Sequence, residues 1–373
     1  MKVINVVQDF NTGGIQKLLL EYLRFFKDSK EIDYKVVVLA PNQHSIFDEV
    51  CENEHLKITY LNCTFSKSNH YYIRAFLKWY RFNFRLLRYL KREKPNIVHT
   101  HNTRMLCLIE TCIKKTKYKY KWSHTLHSDP YAVNESHIPV AKRVFNEYGA
   151  RVICLNETQF IKAKERYSIK NCLYLYNCFN QDSLKNNIIP SNRFREQVNV
   201  PQKDYVIGAV GRLNKVKNYD FLLEVFGVIH KVHSNTSLII SGDGSNNDIN
   251  ALLNKAKTYG CVNKLFLLGN RKDIGNVYNI IDVFVQTSIS EASPFTLLEA
   301  QTFNKYCVVS KASPKESVCL KNKIVRLGLD EDISVWVKQI ISPSLFEKPM
   351  STMKDYSIEN VAKKMINIYN EEN

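Results

Sequence analysis

The sequence predicts an α/β protein made of two successive doubly wound domains, each a parallel sheet covered by helices on both faces. Apolar runs of four to six residues alternate with amphipathic helical stretches along the chain, which is typical of parallel sheets buried on both sides. At 373 residues the chain is also long for one hydrophobic core. We therefore expect two domains that face each other across a cleft at the carboxyl ends of their strands, where open α/β sheets bind ligands.

The order of elements supports a division into two halves. The first half runs from the strand pattern KVINVV to CLYLYN, with helices expected at about 14–27 and 71–93, and the second half from DYVIGAV to YCVVS. Between them, the stretch 178–200 is polar and has no strand pattern. We assign residues 1–195 to an N-terminal domain, 196–354 to a C-terminal domain, and 355–373 to a last helix.

The charge distribution limits the classes of partner. Residues 1–195 hold 32 Lys and Arg against 17 Asp and Glu, whereas residues 196–373 hold 21 against 19. A basic first half favours a negatively charged partner surface, either anionic lipid or nucleic acid. Since no helix-turn-helix, zinc-finger or RNA-binding signature is present, nucleic acid is the weaker interpretation.

The sequence gives no sign of an export signal or a membrane span, and it predicts a cytoplasmic protein. The first residues run directly into a strand pattern, and the apolar runs are far too short to cross a bilayer. The ten cysteines include no C-x-x-C pair and several lie in probable buried strands, so we expect reduced packing residues rather than disulfides or metal ligands.

Glycines and cations gather where predicted strands end. Gly13 and Gly14 follow the first strand, and this turn is as compatible with a plain tight turn as with a binding loop. Gly211, Arg212 and Lys217 follow the strand DYVIGAV, and a fork donor with a point-charge donor suits a diphosphate. The alternative for the two cations is a solvated surface.

Two further strand ends and one helix start complete the predicted pocket. Gly242 and Gly244 follow the strand SLIISG, and Asn270 and Arg271 follow KLFLLG, on the same edge of the same sheet.

The stretch SISEASPFTLLEA then predicts a helix that opens at Ser293 and Pro294, so that Phe295 and Thr296 offer free amides. An anion at that helix start would lie between Glu291 and Glu299, whose carboxylates can accept hydrogen bonds from hydroxyls. This is the outline of a nucleotide-sugar; a capped surface helix with incidental glutamates is the alternative.

Taken in order, these motifs resemble the family-4 retaining glycosyltransferases of the GT-B fold. The shared pattern is G-G after the first strand, G-R-L-x-x-x-K-N, G-D-G and E-x7-E ending in L-L-E-A, from residue 13 to about 316. The resemblance implies two Rossmann-like domains with a C-terminal helix that crosses back to the first. Departures occur at Ala292 and Cys178, where the family commonly has glycine.

The resemblance also implies roles for individual residues. Arg212 and Lys217 would bind the donor diphosphate, Glu291 the sugar hydroxyls and Glu299 the ribose. The amides of Phe295 and Thr296 would meet the distal phosphate, Arg271 would lie by the base, and His127 would lie near the anomeric carbon. His127 is also compatible with a packed histidine at a strand end.

The reaction implied is sugar transfer with retention, from a nucleotide-sugar, with UDP-sugar the expected donor, to a lipid-linked or growing saccharide in bacterial surface polysaccharide assembly. No D-x-D motif or histidine cluster indicates a metal, so we expect no cofactor and a leaving diphosphate stabilised by Arg212, Lys217 and the helix start. The alternatives are a transferase with a soluble acceptor, a non-catalytic partner subunit of the same fold, and another nucleotide-sugar reaction such as epimerisation. The sequence leaves the oligomeric state open.

The helix expected at 71–93 is the candidate membrane surface. Its cations recur at spacings of 4, 3, 4, 3 and 4, which places them on one stripe: Arg74, Lys78, Arg81, Arg85, Arg88 and Arg92. Most of the remaining circumference is apolar, and such a helix can lie on an anionic leaflet. We therefore expect peripheral association with the inner face of the plasma membrane; the alternative is a domain helix with a solvated arginine face.

Overall fold

The computed structural model describes residues 1–11, 13–63, 71–170 and 172–371; within residues 71–79 it describes the backbone alone. Tertiary contacts divide the chain into two compact units, Met1–Phe179 with Tyr356–Asn373, and Asn180–Asp355. Each unit is built around one parallel sheet, as the alternating pattern predicts. None of the described helices is long and apolar enough to cross a membrane.

The first unit has a seven-stranded sheet in the order β3-β2-β1-β4-β5-β6-β7. Its strands are β1 Lys2–Val7, β2 Asp33–Val38, β3 Ile58–Tyr60, β4 Ile97–His101, β5 Lys121–Thr125, β6 Arg151–Cys154 and β7 Cys172–Tyr174. Its helices are α1 Gly14–Phe25, α2 Ile46–Asn53, α3 Tyr71–Glu93, α4 Thr103–Thr116, α5 Ile138–Lys142 and α6 Glu157–Tyr167. The strand order reverses between β1 and β4, which makes their carboxyl ends the topological switch point of this sheet.

The second unit has a six-stranded sheet in the order β10-β9-β8-β11-β12-β13. Its helices are α7 Gln181–Lys185, α8 Ser191–Gln197, α9 Tyr219–Val232, α10 Asn246–Thr258, α11 Ile274–Ile280, α12 Phe295–Thr302 and α13 Ile333–Ile341. Its strands are β8 Tyr205–Val210, β9 Thr236–Ser241, β10 Leu265–Gly269, β11 Val283–Gln286, β12 Tyr306–Ser310 and β13 Ile324–Leu327. Here the switch point lies between β8 and β11.

The polar stretch at 178–200 is not a linker. It forms α7 and α8, and Phe194 is fully buried in the core of the second unit. The carbonyl of Leu184 lies so close to Gly275 of α11 that a Cβ there would stand 2.0 Å from it. The division after Phe179 therefore precedes the predicted boundary at 195, because a few apolar side chains in this polar segment anchor it to the second sheet.

The last helix, α14 Ile358–Asn370, belongs to the first unit. Ser357 caps its first turn through Asn360 N–H, and one face of the helix is buried, including Val361, Ala362 and Met365. The hydroxyl of Tyr369 lies 2.6 Å from Nδ1 of His99 on β4. Helix α14 thus makes a polar contact with β4 of the first sheet.

A buried asparagine joins α3 to α4. Asn83 is 4% exposed; its Nδ2 donates to the carbonyl of Leu108 at 2.8 Å, and its Oδ1 accepts from the N–H of Cys112 at 2.8 Å. These two backbone groups lie one turn apart on α4. Because a buried amide needs its partners, this pair of bonds fixes one register of α3 on α4.

Candidate functional site

The carboxyl ends of three strands of the second unit are joined by backbone hydrogen bonds at glycines. The N–H of Gly211, after β8, donates to the carbonyl of Ser241 at 2.9 Å, and the N–H of Gly242 donates to Gly269 at 2.9 Å. A Cβ at Gly242 would lie 1.9 Å from the oxygen of Gly211, and one at Gly244 would lie 2.6 Å from Cβ of Leu213. These glycines permit the close backbone approach that shapes the rim beside the switch point.

Lys217 and Glu291 form an ion pair at this switch point. Nζ of Lys217 lies 2.7 Å from Oε1 of Glu291, and the side chains are 19% and 12% exposed. The pair joins the loop after β8 to the loop after β11, which two more bonds hold together: Ile289 N–H to Val216 O at 2.8 Å, and Thr287 Oγ1 to Asn218 O at 3.0 Å. The structure therefore brings together two of the predicted catalytic residues, 74 positions apart in sequence.

Gln286, the last residue of β11, is a further residue of this site that was not predicted from the sequence. Its Nε2 donates to Oε1 of Glu291 at 3.1 Å and to Oγ1 of Thr296 at 3.3 Å, while its Oε1 accepts from Ser313 Oγ at 3.1 Å. Gln286 is 4% exposed, so these bonds are shielded from water. The sequence feature that could have identified Gln286 is its position: it is a single polar residue at the end of an otherwise apolar strand, beside the switch point.

Arg212 lies in the loop after β8 and is exposed. Its guanidinium takes part in no ion pair among the residues that the structure describes, whereas the nearby Lys217 is paired. Lys217 is therefore neutralised, whereas Arg212 and Lys215 of the same loop face solvent. Such an arrangement leaves Arg212 available to an anionic ligand.

The helix after Glu291 begins later than predicted. α12 starts at Phe295 with Pro294 as its N-cap residue, and no side chain caps it. The predicted cap, Ser293, has a buried Oγ without a hydrogen-bond partner among the described residues. The prediction of a Ser-Pro opening was therefore wrong by one residue, because the Ser293 hydroxyl does not cap the first-turn amides. Amides of a helix's first turn still lack acceptors within the helix itself.

Glu299 is 2% exposed, and its Oε2 accepts a hydrogen bond of 2.7 Å from the hydroxyl of Tyr278. The same hydroxyl lies 3.2 Å from the carbonyl of Thr296. Burial and the neighbouring Glu299 raise the pKa of Tyr278 well above its usual value, so Tyr278 remains a donor. Glu299, which was predicted to bind the ribose, is thus held in place by Tyr278, a residue that was not predicted.

Arg271 has partners of its own. Its guanidinium binds Asp273 through two bonds of 2.8 and 2.9 Å and lies 5.1 Å from the ring centre of Phe194. Its hydrogen bonds lower the pKa of the Asp273 carboxyl. The segment of Asn270 and Arg271 is therefore fixed within the second unit, with the guanidinium plane held by an ion pair and an aromatic face.

In the first unit, the half-buried His127 follows β5 and contacts a cluster of buried imidazoles. Its Nε2 lies 3.0 Å from Nδ1 of His101, whose ring stacks on His99 at a centroid distance of 4.5 Å. Burial lowers the pKa of His127 to about 3 and that of His99 to about 3. The sequence analysis did not assign His99 or His101 any role, although their alternate positions in IVHTH place both on one face of β4.

The remaining predicted site residues lie at the start of α1 and in the first turns of α3. Gly13 precedes α1 with an extended backbone that any residue can adopt, and Gly14 is the first residue of α1. The side chains of Arg74 and Lys78 lie outside the described residues. Within the described part of the chain, no group of three or more His, Cys, Asp or Glu side chains could hold a metal ion.

The buried histidines predict a first unit that loses stability in acid. Their folded pKa values are lowered, whereas an unfolded histidine titrates near 6.5, so the unfolded state takes up protons first as the pH falls. Stability is therefore full above pH 6.5 and declines below it, by up to about 1.4 kcal/mol per pH unit for each such histidine. Urea midpoints measured from pH 7.5 to 4.5 test this decline.

A pair of variants isolates the effect. His124 is fully buried with Nε2 unpartnered, and burial lowers its pKa well below the usual value. His124→Leu should flatten the decline, whereas His233→Asn, at an exposed position, should leave it unchanged. Equal slopes in both variants and the parent would contradict the assignment.

Comparison with known proteins finds a family match in each half of the chain. Residues 190–343 match the family described as "Glycosyl transferases group 1", and residues 12–172 match "Glycosyltransferase Family 4". Among solved structures, Anabaena HepE in complex with UDP-glucose superposes with a TM-score of 0.75 at 16% identity, covering 99% of this chain and 95% of that one. This likeness shows the GT-B fold.

Several curated relatives are bacterial glycosyltransferases. The chain is 28% identical over 248 residues to the UDP-Gal:alpha-D-GlcNAc-diphosphoundecaprenol alpha-1,3-galactosyltransferase of Escherichia coli, covering 60% of each chain. It is 23% identical over 332 residues to the capsular polysaccharide biosynthesis glycosyltransferase CapH of Staphylococcus aureus, covering 85% of this chain and 82% of CapH.

The match to EpsF of Bacillus subtilis, 27% identical, spans 44% of each chain, so this match and the one to the E. coli enzyme cover less than two thirds of those relatives. The two family matches together nevertheless take in most of this chain, one on each sheet. The protein belongs to the family-4 glycosyltransferases of the GT-B fold.

Proposed function

We propose that the protein transfers a sugar, with retention of configuration, from a UDP-sugar to a lipid-linked or growing saccharide in bacterial surface polysaccharide assembly. The observation that carries the proposal is the Lys217–Glu291 ion pair beside the exposed Arg212 at the second switch point. A diphosphate offers oxygens to both cations, and a sugar offers hydroxyl donors to the carboxylate. UDP is favoured because the E. coli relative is named for UDP-Gal and HepE was crystallised with UDP-glucose.

The chemistry follows from which groups are charged. When a diphosphate leaves, negative charge grows on its oxygens, and preorganised cations and amides stabilise such charge best where water is excluded. Lys217 is already held in place by Glu291, and Glu291 by Gln286, so little reorganisation is required on binding. We propose that Arg212, Lys217 and the start of α12 perform this task without a divalent metal, and that Glu291 orients the sugar through its hydroxyls.

A screen of nucleotide-sugars tests the donor class. A ligand that binds only the folded protein stabilises it by about 2.7 kcal/mol at 100 times its Kd. We expect UDP-sugars to raise the unfolding temperature more than GDP- or ADP-sugars, and product anomers resolved by NMR to match the donor's configuration. Turnover that survives EDTA supports metal independence. An inverted product, or stabilisation by GDP-sugars alone, would contradict the respective parts of the proposal.

We further propose that α3 places the first unit on an anionic membrane, where a lipid-linked acceptor resides. Tyr80 and Phe84 are 51% and 52% exposed and stack with ring centres 5.8 Å apart. Arg85, Arg88 and Arg92 are exposed as well, so aromatic and basic side chains share the solvent face of α3. Aromatic rings and cations together suit the headgroup region of a bilayer.

Liposome flotation tests this surface. Arg88→Gln with Arg92→Gln should weaken binding to anionic vesicles about 30-fold, since each basic residue near such a surface contributes about 1 kcal/mol. The matched control is Lys231→Gln with Lys257→Gln, two exposed cations of the second unit. Equal partition of the parent protein into neutral and anionic vesicles would exclude the membrane proposal and favour a soluble acceptor.

A further inference from the structure

A line of hydrogen bonds leads from the backbone of β2 to His127. Nδ2 of Asn5, on β1, lies 3.4 Å from the carbonyl oxygen of Lys35. Oδ1 of Asn5 lies 3.0 Å from Nε2 of His101, and Nδ1 of His101 lies 3.0 Å from Nε2 of His127. Asn5 and His101 are 0% and 4% exposed, so the contact between these two side chains is shielded from water.

The direction of every bond in this line follows from its first member. A backbone carbonyl can only accept, so the amide nitrogen of Asn5 faces Lys35 and the amide oxygen faces His101. That oxygen also only accepts, so Nε2 of His101 carries the proton. A neutral imidazole has one N–H, which leaves Nδ1 of His101 as an acceptor, and Nε2 of His127 must then donate.

The imidazoles of this line stay neutral. Burial is the main cause that lowers the pKa of His101 well below its usual value, and it lowers that of His127 to about 3. His99 holds the ring of His101 in place by stacking on it at an interplanar angle of 17°. The two ring nitrogens of His99 contact Thr125 at 2.8 Å and Tyr369 at 2.6 Å. His101 is therefore held on its face as well as at both ring nitrogens.

We propose that Asn5 and His101 are positioning residues that hold His127 in its Nε2–H tautomer and leave its Nδ1 as a hydrogen-bond acceptor. In this state the free nitrogen of His127 accepts from a hydroxyl and repels a phosphate oxygen. Resting on the proposed function only for the presence of a sugar, this assigns His127 to a substrate hydroxyl rather than to a phosphate. The tautomer itself depends on the first unit alone.

Imidazole nitrogen NMR tests the tautomer directly. In protein labelled with 15N-histidine, long-range proton–nitrogen correlations distinguish protonated from bare ring nitrogens, and His127→Gln identifies the signals of His127. We expect a protonated Nε2 and a bare Nδ1 in the parent protein. Asn5→Leu should release the line and populate the other tautomer of His127. The control is His124→Leu, because His124 contacts Thr100 and not His127.

Kinetics supply the second readout. Asn5→Leu should lower kcat/KM about 10-fold or more, as for other residues that orient a functional imidazole, with UDP affinity unchanged because Arg212 and Lys217 belong to the second unit. If Asn5→Leu disturbs the His99 and His124 signals, showing a misfolded first unit, His101→Phe replaces it with the same expectations.

Two results would overturn the inference: a protonated Nδ1 on His127 in the parent protein, or His127 signals that neither Asn5→Leu nor His101→Phe changes. Failure of the proposed function looks different. Full activity in His127→Gln would remove His127 from the reaction while the NMR result stands.

Discussion

Arg212→Ala is expected to lower kcat/KM for sugar transfer by about 100-fold or more, the usual effect of removing one charge-stabilising donor from a developing anion. Arg212 is an exposed cation of the loop after β8, and Lys217 in the same loop is already matched by Glu291. With Arg212 absent, Lys217 would be divided between a carboxylate and a diphosphate. The loss should therefore appear in kcat as well as in donor affinity.

The matched control is Lys215→Ala. Lys215 is an exposed cation in the same loop, two positions before Lys217, so its removal reduces the local charge equally. We expect it to change kcat/KM by less than about threefold, as for a solvated surface charge. Arg212→Lys should recover only part of the activity, because an ammonium cannot form the two parallel bonds of a guanidinium. Near-normal turnover in Arg212→Ala would refute the assignment.

Gly242→Ala is expected to abolish donor binding and to destabilise the second unit by about 3 kcal/mol, at the upper end for overpacking. The added Cβ would lie 1.9 Å from the oxygen and 2.5 Å from the carbonyl carbon of Gly211, so backbone rather than a flexible side chain would have to move. That movement would separate β8 from β9 immediately before Arg212. Urea unfolding and UDP binding measured by calorimetry test the two parts.

Gly260→Ala is the control for backbone strain. Gly260 has a φ of +71°, and a Cβ there would meet no atom within 4 Å. Its substitution should cost about 1–2 kcal/mol from the left-handed backbone and leave UDP binding intact. If both variants bind UDP equally, the close contact of Gly242 with Gly211 is not needed for the donor site.

Much of this site could be predicted from local patterns. Glycines at the ends of successive strands, the cations of GRLNKVKN and the spacing of Glu291 and Glu299 are visible in sequence, and the parallel-sheet pattern places strand ends on one edge. The ion pair between Lys217 and Glu291 follows from that placement, because both loops leave the switch point of one sheet.

The partners that orient these residues could not be predicted in the same way. Asn5 and His101 are 96 positions apart, and their contact depends on β1 pairing with β4 in one register. Tyr278 reaches Glu299 only because α11 and α12 pack beside each other. Such contacts depend on tertiary geometry, which hydrophobic periodicity does not encode. The same is true of α7 and α8, whose composition is polar although Phe194 is buried.

The amide of Asn83 has a mechanical consequence for any surface that α3 touches. Sliding α3 by one residue along α4 would break both bonds of that amide and leave polar groups unpaired in a dry core. The two helices α3 and α4 must therefore move together as one rigid pair. Helix α4 starts two residues after His101, which is the last residue of β4. A displacement of the stacked rings of Tyr80 and Phe84 on α3 would therefore be transmitted through α4 to the carboxyl end of β4.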